Sequence, residues 1–560
     1  MTSVPNVPAP GVRVALALAV ALGVAGCAPL ARPARDDAIR ITILHTNDHH
    51  GRFWRNDDGE YGMAARKTLI DGIRAEVKRS GGHSLLLDGG DVNTGVPESD
   101  LQDAEPDFRG MNLLGYDAMA VGNHEFDKPP SVLARQRGWI GFPMLAANIY
   151  QDGRRMFPPY TVFRLGGVRV AVMGLTTDDT AKLVNPANVR GIEFRRPAAE
   201  AAALMPQLRA NADVVIAATH MGHYDDGNHG SNAPGDVELA RSVAGFDLIV
   251  GGHSQEAVCM KAENVKDRAH LPGAACRPDR QNGTWIVQAH EWGKYVGRAD
   301  FEYRAGDFRL VKYELVPVNL RQTVKAADGS ERKVPHAGEI AEHAGMLALL
   351  RPYQDRGQAQ LGVPVGRSDA RLAGDRGAVR SEPTPLGVLA ARAMMERAKA
   401  DFAVLNGGGI RDSLPAGRIT YKDVLKVFPF GSTLGVAELS GREVLDYLNA
   451  AARMTRGSGG FAQFAGVQLV IEDDAVASAS IGGQPVEPGR TYRMAINSFM
   501  AAGGDGYPPL AGRANYVDTG FTDADVLKAY VAERSPLRAA DYAPGGVTRR
   551  SRDVSRRTPD

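Results

Sequence analysis

The sequence predicts an α/β architecture in two domains, with the chemistry carried by the first. Three observations predict it. Short apolar runs alternate with helical stretches, and four of those runs lead directly into His, Asp or Gln residues. All 13 histidines lie between His45 and His343, so residues 344–560 contain none. A helix-like stretch, residues 336–351, separates the His-bearing half from the His-free half.

Composition sets the outer bounds. A chain of 560 residues suits two or three domains. At 44% hydrophobic and 23% charged it can bury full-sized cores and does not read as a disordered chain. The 66 Lys and Arg nearly cancel the 65 Asp and Glu. That balance leaves no nucleic-acid or membrane-surface footprint at the level of the whole chain. Three cysteines are too few for a disulfide scaffold.

The N-terminus reads as an address. Residues 14–26 (VALALAVALGVAG) match a signal-peptide core and are too short for a membrane span. The run ends in Val24-Ala25-Gly26-Cys27, which resembles a bacterial lipobox. Residues 1–27 are therefore expected to be a signal peptide with Cys27 lipidated, and residues 28–37 a short linker. The alternative is a secreted protein cleaved nearby, with Cys27 lost. Both export the chain; the first places it in the periplasm with the lipid as its membrane contact, and the second leaves it without an anchor. Export leaves Cys259 and Cys276 as a pair. In an oxidising compartment a bridge closing so short a loop adds about 3 kcal/mol. The alternative is two free buried thiols.

Ile39–Leu44 alternates like a half-buried strand and runs into Asp48, His49 and His50. Residues 63–78 read as a helix, with Leu69, Ile73 and Val77 spaced by four. Ser84–Leu87 leads to Asp88-Gly89-Gly90-Asp91. Residues 212–218 lead to His220 and His223, and residues 246–250 lead to His253 and Gln255. The segment Gly122-Asn123-His124-Glu125-Phe126-Asp127 adds an amide, an imidazole and carboxylates. Strand carboxyl ends are where α/β proteins place their active sites. One His after one strand is ordinarily structural; four such strands are hard to dismiss.

The donors are carboxylate, imidazole and amide, without thiolate. That set suits borderline divalent ions such as Zn, Mn or Co. There are enough donors for two ions, and a lone Asp91 in a Gly-rich turn suits a bridge. Two ions about 3.5–4 Å apart clamp an in-line displacement at phosphorus and lower the pKa of a bridging water.

In the second half, Ile340, Leu347 and Leu350 form one stripe of the connecting helix, and Pro352 ends the pattern. A surface helix of either domain is the alternative. Arg376, Arg380 and Arg411 stand among glycines near Asn406–Gly409, a pattern suited to phosphate. Taken alone, they read as solvated charges. Phe430 and Phe499 have core packing as the default. Two rings can also sandwich a base, worth about 1–3 kcal/mol per stacked base. Residues 549–560 (RRSRDVSRRTPD) have Val554 as the one apolar anchor, and residues 546–560 are expected to be a disordered basic tail.

Asp48-x-His50, Gly90-Asp91, Gly122-Asn123-His124-Glu125, Gly251-Gly252-His253-Ser254-Gln255 and Gly407-Gly408-Gly409-Ile410-Arg411 together resemble the bacterial 5′-nucleotidase family, over about residues 38–545. The resemblance implies a calcineurin-like dinuclear metallophosphatase domain, an α/β/β/α sandwich, at 38–335. It implies a linker helix at 336–357 and an α/β nucleotide-binding domain at 358–545. Asp48, His50, Asp91 and Gln255 would hold one divalent ion. Asp91, Asn123, His220 and His253 would hold the second, with Asp91 shared. Gln255 marks the UDP-sugar hydrolase group, where many dinuclear phosphatases carry His. His124, oriented by Asp127, would stabilise the transition state or protonate the leaving oxygen. Arg376, Arg380 and Arg411 would meet phosphates, Phe430 and Phe499 would stack on the base, Gly459 would contact it, and Asp505 would accept from the ribose hydroxyls. Ser432 stands where the family usually has Asn, which predicts broader base tolerance. His45, His83, His229, His270, His290, His336 and His343 are left as packing or surface residues, and His49 and His223 as support for neighbouring ligands.

The implied activity is hydrolysis of UDP-sugars to UMP and sugar 1-phosphate, and of 5′-nucleotides to nucleosides, by a monomer that takes no nucleic acid. No nucleophilic side chain occupies the motifs, so no covalent enzyme intermediate is needed. One alternative is a 2′,3′-cyclic nucleotide phosphodiesterase/3′-nucleotidase, against which Gln255 and the second-half residues argue. The other is a catalytically silent nucleotide-binding lipoprotein, against which the intact ligand set argues.

Overall fold

The computed structural model describes residues 38–550, except 185, 225–227, 230–232, 326–329 and 512. The signal segment, Cys27, the linker 28–37 and residues 551–560 lie outside the described residues. Among the described residues, no helix is long and apolar enough to cross a membrane.

Five strands of the first domain carry the ligand loops: β1 (Ile39–Thr46), β2 (His83–Asp88), β3 (Ala118–Ala120), β4 (Val214–His220) and β5 (Leu248–Val250). They are short and almost wholly buried, as strands covered on both faces must be. β1, β2 and β3 run parallel in one six-stranded sheet, flanked by Tyr295–Arg304 and Met144–Leu145. β4 and β5 run parallel in a second, between Val168–Thr176 and Thr284–Val287.

The sheets stack face to face. Ile41, Ile43, Leu85 and Leu87 of the first share one apolar core with Val214, Ile216, Leu248 and Val250 of the second. The opposite face of the first sheet (Leu44, Leu86, Met119) packs on the helix Met63–Arg79, with Ile70, Ile73 and Val77 turned inward. The opposite face of the second (Met173, Val215, Ile249) packs against Ala201, Met205 and Leu208 of the helix Pro197–Asn211. The order is helix, sheet, sheet, helix, which brings the carboxyl ends of β1–β5 to one edge. Cys259 and Cys276 are joined in a disulfide beside this core.

The linker helix differs from the expectation. It spans Ala344–Leu361, so residues 336–343 are not helical and Pro352 lies inside it. The backbone of 336–343 bonds elsewhere: Ile340 exchanges bonds with the Asn319 amide at 2.7 and 3.0 Å, and His343 N–H reaches Ala64 O at 3.0 Å. His343 then caps the helix, its Nδ1 accepting from Met346 N–H at 3.1 Å. Proline removes one helical bond. Burial of Met346 and Leu350 in the first domain holds the helix through it.

The second domain is built on a five-stranded sheet ordered Ala462–Ala465, Phe402–Asn406, Thr491–Asn497, Thr433–Ser440, Tyr516–Thr522. Helix Pro385–Ala398 packs on one face and helix Gly441–Ala452 on the other. Part of the expected disordered tail is structured. Val547–Arg550 pairs parallel with Val467–Glu472, because Val547 meets the apolar edge of that strand.

Candidate dinuclear metal centre and nucleotide cleft

Three of the five strands, β1, β2 and β5, deliver their ligands with strained backbones. Asp48, His50, Asp91, His253 and Gln255 have φ of 52°, 50°, 61°, 75° and 59°. Non-glycine residues pay on the order of 1 kcal/mol or more each to sit there, and such strain collects at functional sites. Gly122 is required for a different reason. A Cβ there would lie 2.2 Å from Asp91 Oδ1, so only glycine lets the loop after β3 approach the Asp91 turn.

Two clusters result, and they share Asp91. His50, Asp91 and His124 form one; Asp91, His220 and His253 form the other. His220 Nε2 lies 2.9 Å from Asp91 Oδ2, 3.1 Å from Asn123 Oδ1 and 3.2 Å from His253 Nδ1. His50 Nε2 lies 3.8 Å from both Asp48 Oδ1 and Asp91 Oδ2. It also accepts from Gln255 Nε2 at 2.7 Å.

These residues fit a pair of divalent ions. Asp48 Oδ1 is buried and accepts no hydrogen bond from the described residues. The other Asp48 oxygen takes His253 N–H at 2.9 Å and Asn47 Nδ2 at 2.7 Å. The Nδ1–H of His50 donates to Thr94 O at 2.8 Å, and that of His220 to Gly89 O at 2.7 Å. Those bonds fix the tautomer and aim each Nε2 lone pair into the centre, the usual support for a metal-bound imidazole. Burial pushes Asp48 up to about 7. Burial opposes a charged His220, but Asp91 outweighs it and raises His220 to about 10.

His124 stands at the rim. Its Nδ1 bonds Asp127 Oδ2 at 2.6 Å, and its Nε2 is 3.9 Å from Asp91 Oδ2. Burial disfavours its charged form, but Asp127 and Asp91 prevail and raise its pKa.

Several further residues support the ligand loops; the sequence marks His49 and His223 as such supports but leaves Glu125, Asp107 and Asp279 unassigned. Glu125 accepts four backbone N–H groups, from Gly122 at 2.7 Å, Val92 at 2.9 Å, Asp91 at 3.1 Å and Asn93 at 3.3 Å, and so shapes the bridging turn. His49 accepts from Arg66 at 3.2 Å and donates to Asp107 at 2.8 Å. His223 reaches Asp279 at 2.8 Å. Glu125 sits inside the quoted motif, so that signal was present. Asp107 and Asp279 are remote in sequence and carried none.

The C-terminal domain faces this centre. The Phe430 ring stacks on His124, centroids 5.7 Å apart, and Arg376 Nη1 donates to Gln255 Oε1. Arg411 lies 5.3 Å over the Phe430 ring. Burial, then Arg376 and Arg411, hold Arg380 well below the usual guanidinium value. Burial, then Arg376 and Arg52, push Arg411 down to about 10. Crowded, poorly solvated guanidiniums are the arrangement an oligophosphate relieves. A second group forms around Asn406. Its Nδ2 donates to Asp505 Oδ2 at 2.7 Å, and its Oδ1 accepts from Asn497 at 2.9 Å. Phe499 packs against Gly504, next to Asp505, and Gly459 O accepts from Gly408 N–H at 2.7 Å. Asn406 and Asn497, both unassigned from sequence, orient Asp505. Ser432 is half-buried; its carbonyl accepts from Asp523 N–H at 2.8 Å.

The fold and the shared-carboxylate centre define a metallophosphoesterase domain coupled to a nucleotidase domain. Residues 41–257 match the calcineurin-like phosphoesterase family, and residues 364–512 match the 5′-nucleotidase C-terminal domain. The chain is 59% identical to Protein UshA of Yersinia enterocolitica, over 91% of this chain and 94% of that one. It is 56% identical to Protein UshA of Escherichia coli, over 95% and 98%. A 5′-nucleotidase precursor from Thermus thermophilus matches with a TM-score of 0.73 at 28% identity, over 91% of this chain and 99% of that one. The chain belongs to the UshA-type 5′-nucleotidase family and is a phosphoester hydrolase.

Proposed function

We propose that this chain is an exported, metal-dependent 5′-nucleotidase that also splits UDP-sugars to UMP and sugar 1-phosphate. One observation carries the reading: a carboxylate shared by two ligand clusters faces arginines and an aromatic ring from a second domain. Neither half suffices, so the substrate bridges them.

Asp48, His50, Asp91 and Gln255 would hold one ion, and Asp91, Asn123, His220 and His253 the other. When bound, such ions supply Lewis acidity at phosphorus and lower the pKa of water. The chain's own groups do the rest. Asp127 holds the Nδ1–H of His124, leaving Nε2 to give a proton to the leaving oxygen. Arg376, Arg380 and Arg411 hold phosphate oxygens, and Phe430 and Phe499 provide stacking faces. Asp505, steadied by Asn406, accepts from ribose hydroxyls. The signal segment with Cys27 supports export to the periplasm and lipidation, and the proposal takes the protein as a monomer.

The test is direct. The chain from Ala28 onward is incubated with UDP-glucose or AMP, in Mn²⁺ or Co²⁺ and in chelator. Metal-dependent UMP, uridine, glucose 1-phosphate and adenosine are expected. Adenosine alone would narrow the reading to a nucleotidase. Saturable nucleotide binding without turnover would replace it with the silent receptor.

A further inference from the structure

The helix Pro97–Asp100 belongs to the first domain, yet it bonds to the linker helix and to the C-terminal domain. Its Glu98 is 1% exposed. One carboxylate oxygen receives Lys422 Nζ of the C-terminal domain at 2.5 Å and Gln358 Nε2 of the linker helix at 2.7 Å. The other oxygen has no hydrogen-bond partner among the described residues. The linker helix comes this close because residue 357 is glycine: a Cβ there would lie 2.7 Å from Glu98 Cγ. A carboxylate this buried is costly unless it is paired, and a pair in such a place specifies geometry more than it adds stability.

Each end of this contact leads to a half-site. Ser99, the next residue, donates to Asp107 at 2.5 Å, and Asp107 accepts from His49, which lies between Asp48 and His50. Lys422 sits at the start of the helix Tyr421–Val427. The far end of that helix presents Phe430 three residues on, and Val427 O accepts the Arg411 backbone N–H at 3.0 Å. Besides the direct contacts of Phe430 with His124 and of Arg376 with Gln255, a second path from the metal-ligand loop to the phosphate- and base-facing residues therefore runs through this ion pair.

We propose that Glu98 and Lys422 are a positioning pair, which sets Phe430 and Arg411 at their working distance from the metal-ligand loops. The proposal rests on the bridging-substrate reading above. Neither residue touches substrate. Both act through the elements they join. The metal-ligand loop is held from its own side, by Asp107 and Arg66 on His49, so the pair matters for a substrate that spans the domains and not for holding the ions.

The experiment compares the Mn²⁺-loaded chain from Ala28 onward with Lys422→Met, Glu98→Gln, the double variant and Lys422→Arg. Three quantities are read: small-angle scattering without nucleotide, bound Mn²⁺, and AMP kinetics. Lys422→Met is expected to enlarge the radius of gyration while keeping its Mn²⁺. It should lower kcat/KM for AMP about tenfold, mainly through KM, since small misplacements of a bound substrate cost that much. Lys422→Arg should restore both readouts, and the double variant should be no worse than Lys422→Met. Scattering curves that superimpose on the parent, with unchanged KM, would overturn the proposal. So would loss of Mn²⁺ and melting temperature in every variant, Lys422→Arg included, which marks a merely structural pair. A parent chain that fails to turn over AMP would refute the functional reading instead, and the scattering comparison would still decide the pair.

Discussion

The metal-ligand loops and the nucleotide-facing loops are built on opposite principles. In the first, the supporting polar groups are committed: the His50 and His220 imidazoles are pinned through Nδ1, Glu125 gathers four backbone N–H groups, and five ligand residues hold strained backbones. In the second, Arg376 is exposed, Arg380 and Arg411 repel each other, and Arg380 Nε has no hydrogen-bond partner among the described residues. The chemical half is preorganised at the expense of strain, whereas the recognition half keeps unspent charge for its ligand. Preorganised charge is what lowers a barrier. Unsatisfied cations are what a phosphate chain satisfies.

Four substitutions probe that contrast. The largest effect is expected from Asp91→Asn, because Asp91 serves both clusters. It should lose bound metal and reduce kcat roughly 10³-fold or more. Metal analysis alongside AMP kinetics checks this, and full metal content with normal turnover would exclude a bridge. Asp127→Asn comes next. It leaves His124 in place but weakens its charged form, and should lower kcat about 10²-fold with little change in KM. A rise in KM with kcat intact would instead place His124 in binding.

Changes on the recognition side should act through KM. Phe430→Ala removes one stacking face, and the KM for AMP should rise about tenfold, in line with the worth of one stacked base. Bound metal should not change, and a loss of metal would show that the two halves are less independent than the contrast holds. Ser432→Asn should be smallest, shifting the ratio of uridine to adenosine nucleotide turnover a few-fold by adding a second donor at the base edge. An unchanged ratio would remove Ser432 from specificity.

Much of the first half was legible because burial writes itself into sequence. β1, β2, β4 and β5 are apolar runs with ligands at their ends, and the structure places each within two residues of the expected span. The linker failed where local pattern and tertiary bonding disagreed. Residues 336–343 carry a helical composition, but Asn319 and Ala64 claim their backbone. Pro352 read as a stop, and packing of Met346 and Leu350 overrode it. The tail showed only its arginines, whereas a strand edge was waiting for Val547.

The sequence alone determined the donor set, the α/β class, the placing of the chemistry in the first half and the family, since residue type and strand-end spacing are local properties. Only the tertiary structure decided which donors meet, that Asp91 serves both clusters, that Asn406 steadies Asp505, and that Glu98 and Lys422 join the halves. Those are contacts between residues tens to hundreds of positions apart. No local pattern carries them, because they exist only once two sheets and two domains have packed.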